Sequence, residues 1–419
     1  MKSIVAKFQR KFLPSMKHSD YRVMWLGHII GESSSWALGA AEGWLIYNIA
    51  EGNPSSWVGA VFFAAMLPWF IVPLVVGILT DRYSRKKILA FAYIVSLAHA
   101  LALTVFVFTG LINVWVILVL ATVNGAARAV HMGAIEALTA NLVPEEDIPN
   151  AYTFVSAGYY ATRLIGPGLI APIMDVADIK WVFLGCSLFY GWALLLVLQI
   201  GTVSTGGIES SRNFLSDTID GFRYAYGNSM LRNLILFVMF HCMLVMSFES
   251  VLPAVSELQI GTGGKAVAYM HMMVGFGALV VSVFIAPIKD LKFIGNLFLA
   301  TAILSSAGNF TLAISTSLNL AIFGSILIGI THTGFMTIST IFIQTIAPDR
   351  LRGRITSIYL IHAGGMMSFS YLIYGALGDI YRPSNVLLVG VVTFTVVVIS
   401  AIFMGSLRSL FLSGIREFE

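Results

Sequence analysis

Charge is scarce in this chain. Only 11% of its 419 residues are Asp, Glu, Lys or Arg, whereas 58% are hydrophobic and the mean hydropathy is +0.85. Soluble domains carry about 25% charged residues, so a water-soluble globule could not cover this much apolar surface. Cysteine is scarcer still. Cys186 and Cys242 both lie inside apolar stretches, where they read as small buried hydrophobes, not as a disulfide framework or a metal site. The absence of a Walker loop excludes ATP as the energy source, and no dinucleotide fingerprint or zinc spacing is present. Apart from residues 201–232 there is no long polar stretch, which leaves no room for a soluble catalytic domain. The chain is therefore expected not to be an enzyme, and to need no cofactor, metal or nucleic acid.

What is present is a series of apolar stretches, each near the roughly 20 residues that a helix needs to cross bilayer hydrocarbon. They fall at about 22–48, 57–80, 88–109, 114–140, 150–173 and 180–201, then at about 232–256, 266–288, 296–315, 318–346, 355–378 and 385–407. Residues 1–17 are basic and lack the short apolar core and cleavage site of a secretory signal, so the first stretch is expected to remain as an anchor. Positive charge falls on alternate gaps. With the N-terminus inside, 20 of the 25 Lys and Arg lie on the inner side, Lys180, Lys265 and Arg382 lie outside, and Arg128 and Arg163 fall within spans. That bias predicts a multi-pass protein with both termini cytoplasmic. Any even number of spans would do the same; twelve rests on segment lengths.

The polar stretch opens Gly-Thr-Val-Ser-Thr-Gly-Gly and continues into Phe214, Ile219, Phe222 and Tyr226 at helical spacings. Flexible coil followed by an amphipathic helix on the membrane surface is the expected form. The expected division is a six-helix bundle at 1–201, a linker at 202–231 and a second six-helix bundle at 232–419. Weak internal symmetry supports it. Asp81 with its basic cluster follows the second span as Asp290 with Lys292 follows the eighth, and Pro144-Glu145-Glu146-Asp147 follows the fourth as Pro348-Asp349-Arg350 follows the tenth. Two parallel repeats of this kind predict a binding site between the halves near the bilayer midplane.

Gly77-Ile-Leu-Thr-Asp81-Arg82-Tyr-Ser-Arg85-Lys86-Lys87 stands at the inner end of the second span. Gly77 permits close helix packing, Asp81 can cap a helix start, and the basic run suits anionic lipid. This segment resembles the signature loop of the major facilitator superfamily, with Ser84 where a second glycine is usual. The resemblance implies an all-α fold of two pseudo-symmetric six-helix bundles, in which this loop locks the outward-open state. Further stretches look like the bacterial branch that contains the enterobactin exporter and macrolide efflux proteins. They are Asn141 to Ala151 leading to Arg163-Leu-Ile-Gly166-Pro167-Gly168, then Asp220 to Tyr224, Ala347 to Arg354, and Gly375 to Asp379. Gly166-Pro167 resembles a fifth-span antiporter motif, although its later glycine pair is Ile170-Ala171. Where that branch often shows Pro-Ala-Arg-Gln-Ala, this chain has Gly133-Ala-Ile135-Glu136-Ala, which implies a different substrate path.

An ionisable residue within a span costs at least about 2.5–3.5 kcal/mol, so each calls for a partner or a task. Glu32 and Arg128 are expected near the midplane of the first and fourth spans, and His241 and His332 near that of the seventh and tenth. By the resemblance, those four spans line a central cavity. Glu32, Ser35, Gly39 and Glu42 share an arc of about 80° on one helix face, and Asn124, Arg128, His131 and Thr139 form a comparable stripe with Glu136 at its edge. Glu32, Arg128, Glu42 and Glu249 are thus candidates for proton coupling or charge pairing. Trp36, Asn124, His131, Glu136, His241, His332 and Phe335 are candidates for the substrate cavity. Gly77, Asp81, Arg82, Arg85, Arg163, Gly166 and Pro167 are candidates for the conformational motifs. Static readings stand beside these: Glu32–Arg128 as a fixed brace, Arg163 as a packing residue, His99 and His271 as satisfied packing residues, and the aromatics as core.

The function expected from all this is proton-coupled export of an amphipathic small molecule, siderophore or drug-like, by alternating access in a bacterial inner membrane. The protein is expected to work as a monomer, with protons, substrate and lipid as its partners. Import of a polar metabolite or iron-chelate through the same fold is the alternative, and a non-transporting membrane sensor a more distant one.

Overall fold

The computed structural model describes residues 14–202, 214–288, 290–348 and 351–414, with the side chains of 73, 74, 77, 78, 81, 175, 214–218 and 220 outside that set. Among the described residues there is no strand. Nine helices among the described residues are long and apolar enough to cross a membrane. The other three expected crossings lie on Ser19–Ile49 (α1), on the broken pair Pro54–Met66 (α2) and Val72–Arg82 (α3), and on Ile148–Val176 (α6). Those segments carry Glu32 and Glu42, Pro68 and Pro73, and Arg163 with Pro167 and Pro172, respectively.

Two compact units form. The first holds the described residues up to Glu42 and those from Pro68 to 202; the second holds Gly43–Leu67 and the described residues from 214 onward. In the first, Arg85–Phe108 (α4) packs against Val114–Leu142 (α5) and Lys180–Gln199 (α7), and α3 also rests on α5. Small residues let α1 reach its neighbours. A Cβ on Gly166 of α6 would stand 2.1 Å from the Ser33 carbonyl oxygen, so only glycine allows that approach. Asn113 starts α5 by accepting hydrogen bonds from the Trp115 and Val116 amides, both at 3.1 Å. At the start of α1, Asp20 accepts from the Thr202 amide at 2.7 Å, the Thr202 hydroxyl at 2.5 Å and the Gly201 amide at 3.1 Å. Those bonds, the Thr202 hydroxyl foremost, hold the Asp20 carboxyl below its ordinary pKa.

The second unit is built from α2, Phe214–Gly227 (α8), Ser229–Leu244 (α9), Gly264–Ile285 (α10), Leu291–Ala313 (α11), Leu318–Ile346 (α12), Arg352–Leu360 (α13), Met366–Ile380 (α14), Pro383–Phe403 (α15) and Gly405–Ser413 (α16). Its core is aromatic: Phe237, Phe298, Phe335, Phe342, Phe394 and Phe411 are all buried. The expected seventh and eleventh spans are irregular. After α9 comes a 3-10 segment at Met246–Val251, then a π turn at Ser256–Ile260, while a second π turn at Ile361–Gly365 joins α13 to α14. Such π segments are inserted turns that often mark functional sites.

Two features depart from the sequence expectation. Gly43–Leu67 belongs to the second unit, where α2 packs on α14. A Cβ on Gly59 would lie 2.2 Å from the Tyr371 carbonyl oxygen, and one on Gly375 2.5 Å from that of Ser55. Asn53 makes no side-chain cap for α2. Instead the Asp379 carboxylate accepts the Ser55 and Ser56 amides, each at 2.8 Å, and so satisfies two of the orphan donors of that helix start. The second departure is the linker helix. α8 is amphipathic as expected, but its Gly221 lies against Arg354 and Ile358 of α13, Phe222 and Tyr224 pack on the core, and the Tyr226 hydroxyl meets His362 Nε2 at 2.7 Å. Its apolar face is covered by protein only in part, since Ile219 is exposed.

Candidate charge and aromatic clusters of the helix bundles

The first unit brings together several of the expected residues. The Glu32 side chain on α1 is 3% exposed, and its Oε2 lies 3.3 Å from Arg128 Nη2 on α5. Its other oxygen is 3.2 Å from His131 Nδ1, an ion-pair distance without hydrogen-bond alignment. One helical turn separates Arg128 from His131, so a single face of α5 delivers both groups to one carboxylate. Behind them, the Tyr93 hydroxyl on α4 stands 3.0 Å from His131 Nε2 and 3.0 Å from the Gly27 carbonyl. The Gly27 carbonyl can only accept, so it takes the single Tyr93 proton, and the Tyr93 oxygen in turn accepts from His131 Nε2–H. His28 stacks on the same imidazole, with ring centroids 5.4 Å apart.

Aromatic rings surround the cations. Trp36 lies 5.4 Å from the Arg128 guanidinium carbon and 4.6 Å from that of Arg163, and it meets Tyr159 edge-on at 6.0 Å. Planar, weakly hydrated guanidinium suits such stacking. Arg163 therefore joins the cluster through Trp36. Pro167 and Pro172 stand inside the same helix. The Arg128 side chain is 27% exposed, so the pair is open at one edge. Asn124 is buried on the same helix, and its Oδ1 has no partner among the described residues. Glu136 is exposed, and its carbonyl accepts from the Tyr152 hydroxyl at 2.8 Å. A second buried pair lies farther along α1: Glu42 Oε1 stands 3.1 Å from His99 Nε2 of α4.

Of the signature loop, Arg85 Nη1 donates to the Ala137 carbonyl at 2.8 Å and to Asn141 Oδ1, tying the start of α4 to the end of α5. Lys86 donates to the Leu198 carbonyl at 3.0 Å, Arg82 is exposed, and the side chains of Gly77 and Asp81 lie outside the described set. Lys289 and Asp349-Arg350 lie outside the described residues as well.

In the second unit, His241 is 0% exposed and stacks on Phe335 with centroids 3.9 Å apart, while its Nε2 meets Ser305 Oγ at 3.1 Å. His332 crosses it edge-on at 5.0 Å and reaches Asn309 Nδ2 through Nε2 at 3.2 Å. Both histidines and Phe335 are packed into the aromatic core. Glu249 sits on the 3-10 segment and accepts from the Tyr371 hydroxyl at 3.1 Å. Tyr93, Tyr159 and the pairing of Glu42 with His99 were not foreseen. A tyrosine in an apolar run carries no sequence mark of its partner, and pairing between helices more than fifty residues apart is invisible to periodicity.

Residues 11–409 match the model of a family described as transmembrane secretion effectors. The macrolide efflux protein A of Streptococcus pyogenes is 23% identical over 239 residues, which covers 56% of this chain and 58% of that protein, so the match spans less than two thirds of the relative. The staphyloferrin A transporter of Staphylococcus aureus is 22% identical over 331 residues, covering 78% of this chain and 81% of that one. Among solved structures, the nucleoside transporter NupG superimposes with a TM-score of 0.68 at 12% identity, covering 93% of this chain and 99% of its own. A POT family transporter in complex with 5-aminolevulinic acid gives 0.71 at 12% identity, covering 92% and 96%. At that identity these structures speak for the fold alone. With helices throughout, buried charges in the spans and a family match over nearly its whole length, this multi-pass chain belongs to the transmembrane secretion effector family of the major facilitator superfamily.

Proposed function

We propose that this protein is a secondary transporter that exports an amphipathic small molecule, siderophore or drug-like, in exchange for protons by alternating access. It sits in a bacterial inner membrane with both termini cytoplasmic. The observation that carries the reading is the Glu32 cluster: a carboxylate shared by Arg128 and His131 inside a helix bundle, ringed by Trp36 and Tyr159. A fixed brace needs one cation. A histidine beside the second carboxylate oxygen adds a group that can be neutral or cationic, so the cluster has more than one charge state open to it. In the proposed cycle, a proton taken up elsewhere in the first unit drives the rearrangement that parts Glu32 from Arg128, and the freed guanidinium and Trp36 offer a charged and an aromatic surface to an amphipathic anion.

The likeness to macrolide efflux protein A supports export, and the likeness to the staphyloferrin A transporter supports a siderophore among the candidate substrates. A thermal-shift screen of the purified protein against siderophores and macrolides selects the ligand. Flux of that ligand in vesicles with an imposed pH gradient then tests direction. Movement against the proton gradient supports export; movement along with protons favours import, and no flux for any stabilising ligand refutes transport.

A further inference from the structure

We propose that Glu42 and His99 form a proton-binding site of the first unit, separate from the Glu32 cluster, and that the proton exchanged during transport is held there. The last clause rests on the transporter reading above; proton binding itself does not.

The two buried carboxylates of α1 differ in what balances them. Glu32 faces Arg128, a permanent cation, so that pair is neutral whatever the state of its neighbours. Glu42 has no such partner. Among the described residues no lysine or arginine lies within ion-pair distance of it, and its one partner is His99 Nε2 at 3.1 Å. The side chains are 9% and 0% exposed. A buried, unbalanced carboxylate is costly, and a buried imidazolium equally so. One proton removes the difficulty wherever it sits: carboxylic acid beside neutral imidazole, or carboxylate beside imidazolium, leaves the pair uncharged. Losing it leaves a net charge of −1 in the bundle, and a second proton leaves +1. With 3.1 Å between Oε1 and Nε2, one proton serves both groups, and the pair forms one binding site.

The surroundings do not supply another counter-charge. α4, which carries His99, packs on α5 and α7. The titratable side chains of α7 in that region are Cys186 and Tyr190, both neutral at ordinary pH. On α5, Arg128 and His131 are engaged with Glu32, and Glu136 is exposed. Glu42 lies ten residues beyond Glu32 in α1, roughly 15 Å along the axis, so the two carboxylates occupy different levels. Glu42 is also the last residue that α1 contributes to the first unit before Gly43 joins the second.

The test uses the purified full chain in detergent. Proton uptake is counted as the pH is stepped down, and infrared difference spectra report the carboxyl groups. Wild type and Glu32→Gln are expected to share a carboxyl signal and one proton that Glu42→Gln lacks, while His99→Gln moves the midpoint of that uptake. Nitrogen-15 histidine spectra of wild type provide a readout independent of how the variants fold: the His99 resonances should titrate in step with the carboxyl signal. Unchanged proton uptake in Glu42→Gln, or His99 resonances that stay fixed while the carboxyl titrates, would overturn the proposal. An absence of flux in vesicles with the proton count intact would instead sink the transporter reading and leave the site standing.

Discussion

Removing Glu32 from the first unit should separate the strength of its pairing with Arg128 from mere packing. At the 3.3 Å between Oε2 and Nη2, the attraction is about 5 kcal/mol at an effective dielectric of about 20. Desolvation offsets much of that, and the guanidinium keeps one edge open to solvent as well as its contact with Trp36. A coupling of about 2–3 kcal/mol remains, near the top of the range for contacting residues. Glu32→Gln alone should cost about 3 kcal/mol, because it leaves Arg128 without its counter-charge. Arg128→Gln should cost a similar amount, and the double variant much less than the sum of the two. The assay is reversible denaturant unfolding of the four proteins in mixed micelles, read by circular dichroism. A coupling below about 0.5 kcal/mol would refute the pairing, since that is the scatter of independent sites.

Other perturbations follow from the geometry. Gly166→Ala forces a methyl carbon toward the Ser33 carbonyl, which it would approach to 2.1 Å, so α6 must move away from α1; the cost should be at least about 1–3 kcal/mol, seen as a lower melting temperature. Asp379→Ala removes the acceptor of both the Ser55 and Ser56 amides and should cost about 1–2 kcal/mol, with faster hydrogen exchange confined to the first turn of α2. The depressed pKa of Asp20 sets a pH dependence. Its tie to Thr202 contributes fully above the unfolded carboxyl value of about 3.9 and is lost as the pH falls through the lower folded value. Protection of the Thr202 amide, measured against its unfolded rate at each pH, should therefore fall in acid in wild type and be low at every pH in Asp20→Ala.

Much of the helical layout was legible in advance, because lipid leaves the backbone few options. Among the described residues nine apolar runs correspond to helices long enough to cross, and both cysteines are free and buried. The breaks were less visible. Pro68 and Pro73 interrupt the second expected span at Leu67–Phe70, but prolines are tolerated inside membrane helices, so their presence alone did not predict a break. Glu32 and Arg128 could be paired from depth and helical phase because each stands out as a lone charge in an apolar run. His131 shared their stripe, yet its contact with the same carboxylate depended on α5 turning that face to α1. His99 had been assigned to packing, since a histidine in a peripheral span gives no sign of an acid waiting on another helix. Depth singled out His241 and His332, but not that His241 stacks on Phe335 within an aromatic core. Periodicity ranks the faces of one helix, but the facing residue of a neighbour is decided by packing.

The central claim is that charge held inside the first unit couples protons to substrate movement. Simultaneous recording of proton and ligand flux in vesicles, for wild type and Glu32→Gln, bears on it most directly. The account predicts opposed, stoichiometric fluxes in wild type and neither in the variant; ligand movement that proceeds without protons, or full coupled exchange in Glu32→Gln, would contradict it.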